Sequence, residues 1–138
     1  MEVIFMSGFF DISVMTDFAA SHIIHGHPGK CARLHGHNWK VEACVRIPSD
    51  SLNEIGIGID FKDLKIMIRE IIDKLEHRHL NDIQPFDKIN PTAENVSKWI
   101  FQEISGLLSN NKNNNIYPKV QFLALWENDR SCVRYSEK

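Results

Sequence analysis

Five of the seven histidines of this chain lie between His22 and His37, in the order H-x2-H-x-H-x7-H-x-H, and Cys31 lies among them. Neutral imidazole binds zinc well, and three imidazoles leave a fourth coordination position open for water or substrate. A thiol in the same segment could act as a nucleophile or as a base. The pattern therefore predicts a histidine-held metal with a cysteine beside it.

Strand geometry indicates which histidines meet. His35 and His37 begin a segment of alternating apolar and polar residues, 35–47, so both side chains project from the same face of a predicted strand. His22 follows a second alternating segment, and pairing of the two segments as a hairpin would bring it across from the other two histidines. We therefore expect His22, His35 and His37 to bind one metal ion.

Two alternatives to this ligand set remain open at the level of the sequence. His25 and His27 could compete for the third position, although they lie in a turn rich in glycine and proline, which favours exposure. Cys31 could be a fourth ligand and complete a structural site. Three histidines alone would instead leave the metal free to act as a Lewis acid on a substrate.

The elements that must position these residues follow the order β-β-α-α-β-β. This order predicts an α+β domain with an antiparallel sheet and two helices on one face. Because such a sheet has two free edges, which proteins usually pair or cover, we expect an oligomer. Strands are predicted over 9–18, 35–47, 119–126 and 132–135, helices after the caps Asp60 and Asn90 (with Pro91 in the first turn), and a polar surface loop over 110–115.

Length and composition are those of one globular domain over 1–138, with 43% hydrophobic and 25% charged residues. A net charge of -2 without a basic stripe argues against a nucleic-acid partner. No apolar run approaches the about 20 residues of a membrane span, and no signal-peptide pattern opens the chain. The three cysteines are widely spaced and odd in number, which indicates reduced thiols and a cytoplasmic protein.

Several motifs together carry a resemblance to a known family. They are F-A-A-S-H at 18–22, K-C-A-R-L-H-G-H-N-W at 30–39, D-F-K-D-L-K at 60–65, H-R-H-L-N-D at 77–82, N-P-T-A-E-N at 90–95 and L-W-E-N at 125–128. With these motifs the chain resembles the 6-pyruvoyl-tetrahydropterin synthase family, and most of all its 6-carboxy-tetrahydropterin synthase branch in queuosine biosynthesis. The resemblance implies the tunnelling fold, in which three subunits close a β-barrel and two trimers stack into a hexamer.

The resemblance also implies roles for individual residues. His22, His35 and His37 match the zinc ligands, with one zinc ion per subunit. Thr92 and Glu94 match a segment that helps to form the pterin pocket.

Three further residues match the catalytic set of the family. Cys31 matches the cysteine that shuttles a proton, His77 matches a relay histidine supplied by a neighbouring subunit, and Glu127 matches the carboxylate that anchors the pterin. One position departs from the pattern, because the family usually has aspartate immediately before the relay histidine and this chain has Glu76.

The implied reaction converts 7,8-dihydroneopterin triphosphate to 6-carboxy-tetrahydropterin, acetaldehyde and triphosphate. Two alternatives remain. A 6-pyruvoyl-tetrahydropterin synthase would keep the side chain as a pyruvoyl group, and Cys31 is common to both activities. A non-catalytic zinc module would use the metal only to join two strands, a hypothesis motivated by Glu76 and by a possible Cys31 ligand.

Overall fold

The structure of the protein is a computed structural model that describes residues 8–110 and 116–138. The predicted polar loop over 110–115 lies, except for Asn110, outside the described residues. In the described part, the elements are β1 (Phe9–His22), β2 (His35–Pro48), α1 (Phe61–Ile72), β3 (Arg78–His79), α2 (Ala93–Asn110), β4 (Lys119–Asn128) and β5 (Ser131–Tyr135). The predicted strands and helices are all present.

One sheet contains all five strands, in the order β3-β1-β2-β4-β5. The neighbours β1–β2, β2–β4 and β4–β5 are antiparallel as predicted. The two-residue strand β3 was not predicted, and it pairs parallel to β1 at Ala20 and Ser21, so the sheet is mixed. A strand of two residues is too short to show alternation, which explains why the pattern did not reveal it.

The hydrophobic core lies between one face of the sheet and the two helices. Phe18 of β1 is the Cα partner of Trp39 in β2, and Val14 is the partner of Ala43, so these side chains share the covered face. The opposite face of β1, which includes Met15, is exposed. The alternation of apolar and polar residues that predicted the strands therefore also indicates which face of the sheet the helices cover.

The helix starts agree only partly with the predictions. Asp60 caps α1 as predicted, because its carboxylate accepts a hydrogen bond of 2.8 Å from the Lys62 amide. The predicted start of α2, with Asn90 as cap and Pro91 in the first turn, is wrong. The helix begins at Ala93, and the hydroxyl of Thr92 accepts the capping hydrogen bond from the Asn95 amide at 3.1 Å.

The reason for the shift lies in the side chain of Asn90. Its amide group is bonded to the backbone of His25, at 2.9 Å to the N–H and 2.8 Å to the carbonyl, so it is not available to cap α2. No helix in the described ranges is long and apolar enough to cross a membrane.

Thr92→Ala should lower the free energy of unfolding by about 1 kcal/mol, because the substitution removes the cap of α2. Urea denaturation at a fixed protein concentration measures the change. Thr92→Ser is the matched control, since it keeps the hydroxyl and should retain most of the stability. Equal stability of the alanine variant and the wild type would contradict the assignment of the cap.

Candidate active site

The pairing of β1 with β2 brings the three predicted metal ligands together. His22 and His35 are direct Cα partners at the end of the hairpin next to its connecting loop, and His37 lies two residues further along the same face. One ligand atom from each ring lies within 4.8 Å of the others, and the ring centroids are 4.4 to 5.1 Å apart. The predicted cluster is therefore present in the structure.

Two backbone carbonyls orient the imidazoles of this cluster. Nδ1 of His22 lies 2.7 Å from the carbonyl oxygen of Pro91, and Nδ1 of His35 lies 2.6 Å from that of Arg33. Because a carbonyl oxygen only accepts, each Nδ1 must donate, and the lone pair of each ring is then on Nε2. Hydrogen bonds of this kind orient the histidine ligands of metal ions.

Unpartnered nitrogen atoms mark where a cation fits. Nε2 of His22 and Nε2 of His37 are buried and have no hydrogen-bond partner among the described residues. A buried polar atom without a partner costs on the order of 1–3 kcal/mol, so such atoms are uncommon in folded proteins. Two of them in one histidine cluster are explained if the nitrogens bind a metal ion, and the donor set suits zinc.

The electrostatic environment keeps these imidazoles neutral, which is the form that binds metals. Burial lowers the pKa of His22 to about 4, and this effect outweighs the hydrogen bond to Pro91, which acts in the opposite direction. Burial also lowers the pKa of His37, although the nearby carboxylate of Glu127 raises it. At neutral pH both rings therefore present lone pairs and not positive charge.

Trp39 forms the floor of the cluster. Its ring is fully buried, stacks on Phe18 at 5.7 Å, and donates a hydrogen bond of 3.2 Å to the carbonyl of Ala20. The rings of His22 and His37 stand edge-on against it at 5.0 and 5.1 Å. This packing limits the rotation of two of the three candidate ligands.

The rival ligands considered from the sequence lie outside the cluster. His25 and His27 are exposed, and Nδ1 of His27 accepts a hydrogen bond from the Gly29 amide within the turn. Cys31 lies in a short 3-10 helix, is half-buried, and does not belong to the group of ligand atoms. In the described part of the chain, the cluster thus consists of three histidines and leaves the thiol free.

Glu127 approaches the cluster from β4. Its Oε2 lies 3.7 Å from Nε2 of His37, which is too long for a hydrogen bond. Among the described residues, the polar group nearest to this carboxylate is His37, and the carboxylate accepts no hydrogen bond. Both of its oxygens can therefore accept hydrogen bonds from a ligand. The predicted anchor residue and the predicted metal site are therefore adjacent.

His77 is not a member of the histidine cluster. Its backbone amide donates a hydrogen bond of 2.7 Å to the carbonyl of Ala19, and its φ angle is 57°, in the left-handed region. Together with His37 and His79 it lines an open depression of about 440 Å³ between β3 and the end of the hairpin. Cys31 and Glu127 are not among the residues that line this depression.

The segment N-P-T-A-E-N contributes to the site through its backbone. The Pro91 carbonyl holds His22, whereas the Thr92 hydroxyl is used as the cap of α2 and Glu94 is exposed. Sequence reasoning missed Pro91 and Arg33, because the contribution of a backbone carbonyl does not depend on residue type. No signal in the sequence could have identified them.

Two asparagines attach the segment after β1 to the loop that precedes α2. The side chain of Asn81 accepts from the Ile23 amide and donates to the Ile23 carbonyl, both at 2.9 Å. Asn90 forms the same pair of bonds with His25. At these alternate residues, the asparagine side chains form the backbone hydrogen bonds that a neighbouring strand would form. They thereby fix the segment between His22 and Cys31.

Comparison with known proteins identifies the family and the fold of this chain. The sequence profile described as 6-pyruvoyl tetrahydropterin synthase matches residues 11–138. The chain belongs to this family. Among solved structures, the 6-pyruvoyl tetrahydropterin synthase of Caenorhabditis elegans superposes with a TM-score of 0.79 over 98% of this chain and 100% of that chain, at 21% identity, which shows a shared fold.

Relatives within the 6-pyruvoyl tetrahydropterin synthase family carry more than one name. A protein of Archaeoglobus fulgidus, provisionally named 6-carboxy-5,6,7,8-tetrahydropterin synthase, is 39% identical over 68% of this chain and 75% of its own length. The Haemophilus influenzae 6-carboxy-5,6,7,8-tetrahydropterin synthase is 29% identical over 93% and 99%. The dihydroneopterin monophosphate aldolase of Pyrococcus furiosus is 35% identical over 72% and 75%.

His35→Ala should reduce bound zinc from roughly one ion per chain to near zero, since two imidazoles do not complete a tetrahedral site. Plasma mass spectrometry of the purified protein measures the metal content. His25→Ala is the matched control, because that exposed side chain lies outside the cluster and only its backbone is bonded to Asn90. Equal zinc content in the His35 variant and the wild type would remove this residue from the ligand set.

Proposed function

We propose that this protein is a zinc-dependent lyase, a 6-carboxy-tetrahydropterin synthase of queuosine biosynthesis. Its substrate is 7,8-dihydroneopterin triphosphate, and its products are 6-carboxy-5,6,7,8-tetrahydropterin, acetaldehyde and triphosphate. The observation that carries the proposal is the cluster of three imidazoles on a sheet of this family, in which Nε2 of His22 and Nε2 of His37 are buried and unpartnered among the described residues. The two relatives that share the proposed name support the choice of branch.

The metal of the proposal is zinc, held by His22, His35 and His37, with one ion per subunit. The neutral state of His22 and His37 and the carbonyl-bonded Nδ1 atoms of His22 and His35 suit these rings as ligands. When bound, the ion supplies Lewis acidity that makes C–H bonds beside the substrate hydroxyls easier to deprotonate.

Proton transfer is the role proposed for Cys31 and His77. The side chain of Cys31 is half-buried and lies outside the ligand cluster, so as a thiolate it would be available to take a proton from the side chain of the substrate. His77 then helps to move that proton. A structural zinc module would use Cys31 as a fourth ligand to complete the metal shell. A thiol outside the ligand cluster therefore favours an enzyme over such a module.

Recognition of the pterin is assigned to Glu127, with Thr92 and Glu94 as further members of the pocket. An ionised carboxylate only accepts hydrogen bonds, and the ring N–H and exocyclic amine of a pterin form a matched pair of donors. With its carboxylate 3.7 Å from His37, Glu127 would hold the pterin beside the metal site. Thr92 contributes mainly by fixing the start of α2, while the exposed Glu94 carboxylate remains available.

The edges of the sheet support a proposal of assembly into a barrel. Strand β3 covers β1 only at Ala20 and Ser21, so the rest of β1 forms an edge within the described chain, and β5 forms the other. Phe9, Phe10 and Met15 are exposed along β1. We therefore propose a homo-oligomer, a hexamer of two barrel-forming trimers, in which His77 serves the site of a neighbouring subunit. The proposed location is the cytoplasm, without a nucleic-acid partner.

The purified protein should convert 7,8-dihydroneopterin triphosphate to a product with the mass of 6-carboxy-tetrahydropterin, together with acetaldehyde. Cys31→Ala is the matched variant: it should keep zinc and the fold but lower turnover by at least about a hundredfold. Mass spectrometry of the products decides between activities. A pyruvoyl product would favour the synthase of that name, and absence of turnover would favour a structural zinc module.

Glu127→Gln should lower kcat/KM for the pterin by about ten- to a hundredfold, since one strong acceptor is lost while shape is retained. Zinc content should stay unchanged, because the carboxylate is not one of the ligands. Steady-state kinetics and metal analysis of the same preparation test both statements. A loss of zinc in this variant would instead place Glu127 in the metal shell.

A further inference from the structure

Arg69 connects the end of α1 to the middle of β1. Its guanidinium donates hydrogen bonds to the Thr16 hydroxyl at 2.9 Å and to the Asp17 carbonyl at 2.8 Å. The same group donates to the carboxylates of Asp73 at 2.7 Å and Glu76 at 3.1 Å. Because a guanidinium is planar and rigid, two partners on β1 and two in the segment after α1 fix its position.

Glu76 divides its carboxylate between Arg69 and His77. Oε2 accepts the hydrogen bond from Nη2 of Arg69, and Oε1 lies 3.0 Å from Nε2 of His77. The side chain of Glu76 is 25% exposed, so it is partly enclosed between these two groups. The three side chains form a continuous chain of polar contacts from β1 to the imidazole.

The imidazole of His77 has little else to orient it. Its side chain is 80% exposed. In the described part of the molecule, the polar group that contacts this ring is the carboxylate of Glu76. The backbone at His77 is held in the left-handed region by the bond to Ala19, which fixes where the side chain begins but not how it rotates. The direction of the ring therefore depends on Glu76.

We propose that Arg69 is the positioning residue for His77 and acts through Glu76. This proposal rests on the proposed function, in which His77 moves a proton. The resemblance to the family led us to expect aspartate at position 76, and glutamate has one more rotatable methylene. Arg69 removes that additional freedom by binding one carboxylate oxygen, which leaves the other directed at Nε2. Arg69 does not contact the substrate and is not itself a catalytic residue.

The exposure of the Arg69–Glu76 ion pair distinguishes the positioning of His77 from a contribution to folding stability. The Arg69 side chain is 37% exposed, and ion pairs at such positions contribute little to folding stability. Loss of the Arg69–Glu76 bond should therefore affect the imidazole more than the fold. A misplacement of about 1 Å at a reacting group can lower the rate on the order of a hundredfold.

The kinetic test compares Arg69→Met with Asp73→Asn. The first removes every hydrogen bond of the guanidinium, including the one to Glu76, whereas the second removes only the ion pair with Asp73 and leaves Glu76 bound. Arg69→Met should lower kcat by about ten- to a hundredfold with KM and zinc content unchanged, and Asp73→Asn should keep kcat within about twofold. An unchanged kcat in Arg69→Met, or an equal loss in both variants, overturns the proposal.

A double-mutant cycle tests the connection through Glu76. If Arg69 acts through that carboxylate, Arg69→Met should add no further loss of kcat to Glu76→Gln, because the two residues form one unit. Losses that multiply in the double variant overturn the route through Glu76.

A spectroscopic measurement keeps the test independent of turnover. At 3.0 Å from an ionised carboxylate, Nε2 of His77 must carry its hydrogen, because that carboxylate offers only lone pairs. Nitrogen-15 spectra of the neutral imidazole, identified by recording a pH series, should show this single tautomer in the wild type and a mixture in Arg69→Met. The same tautomer in both overturns the proposal even if the wild type does not convert the pterin, an outcome that would refute only the proposed function.

Discussion

The register of the β1–β2 hairpin is the constraint on which the rest of the molecule depends. Fourteen consecutive residue pairs align Phe9 with Pro48 and His22 with His35. A shift of one residue would transfer every side chain of β1 to the opposite face, removing Phe18 from the core and His22 from its neighbours. Burial of the apolar face and assembly of the histidine cluster are therefore two results of a single alignment.

Burial of the cluster has a cost as well as a benefit. The burial that keeps His22 and His37 neutral also encloses their Nε2 atoms, which have no protein partner among the described residues. An apolar pair at these positions would make a more stable core without metal. The arrangement suits a metal site. The metal-free chain is less stable, but its ligands are already dehydrated and oriented before the ion binds.

The sequence correctly predicted those features that depend on the type of a residue or on the spacing of apolar residues along the chain. Alternation located the long strands, Asp60 marked the start of α1, and the H-x-H pair with His22 specified the cluster. The start of α2 was predicted wrongly, because the side chain of Asn90 is bonded to a segment 65 residues away and not to its own helix. A local pattern cannot report such a long-range partner.

Other features could not be predicted because they are contributions of the backbone or of tertiary contact. The carbonyls that orient the ligands could belong to any residue, and β3 is too short for a period. Arg69 reads as an ordinary charged residue on a helix until its partners on β1 are known. The roles assigned to Cys31 and Glu127 remain predictions that the experiments above address.

The hydrogen bond between His22 and Pro91 has a consequence for the order in which the protein matures. All three candidate ligands come from the first 37 residues, but the carbonyl that aligns His22 arrives from a position 69 residues later. An isolated hairpin would have all three imidazoles but would lack the carbonyl that orients His22. Tight metal capture should thus follow completion of the domain and not nucleate it, so that an incompletely synthesised or misfolded chain has little means of retaining the ion.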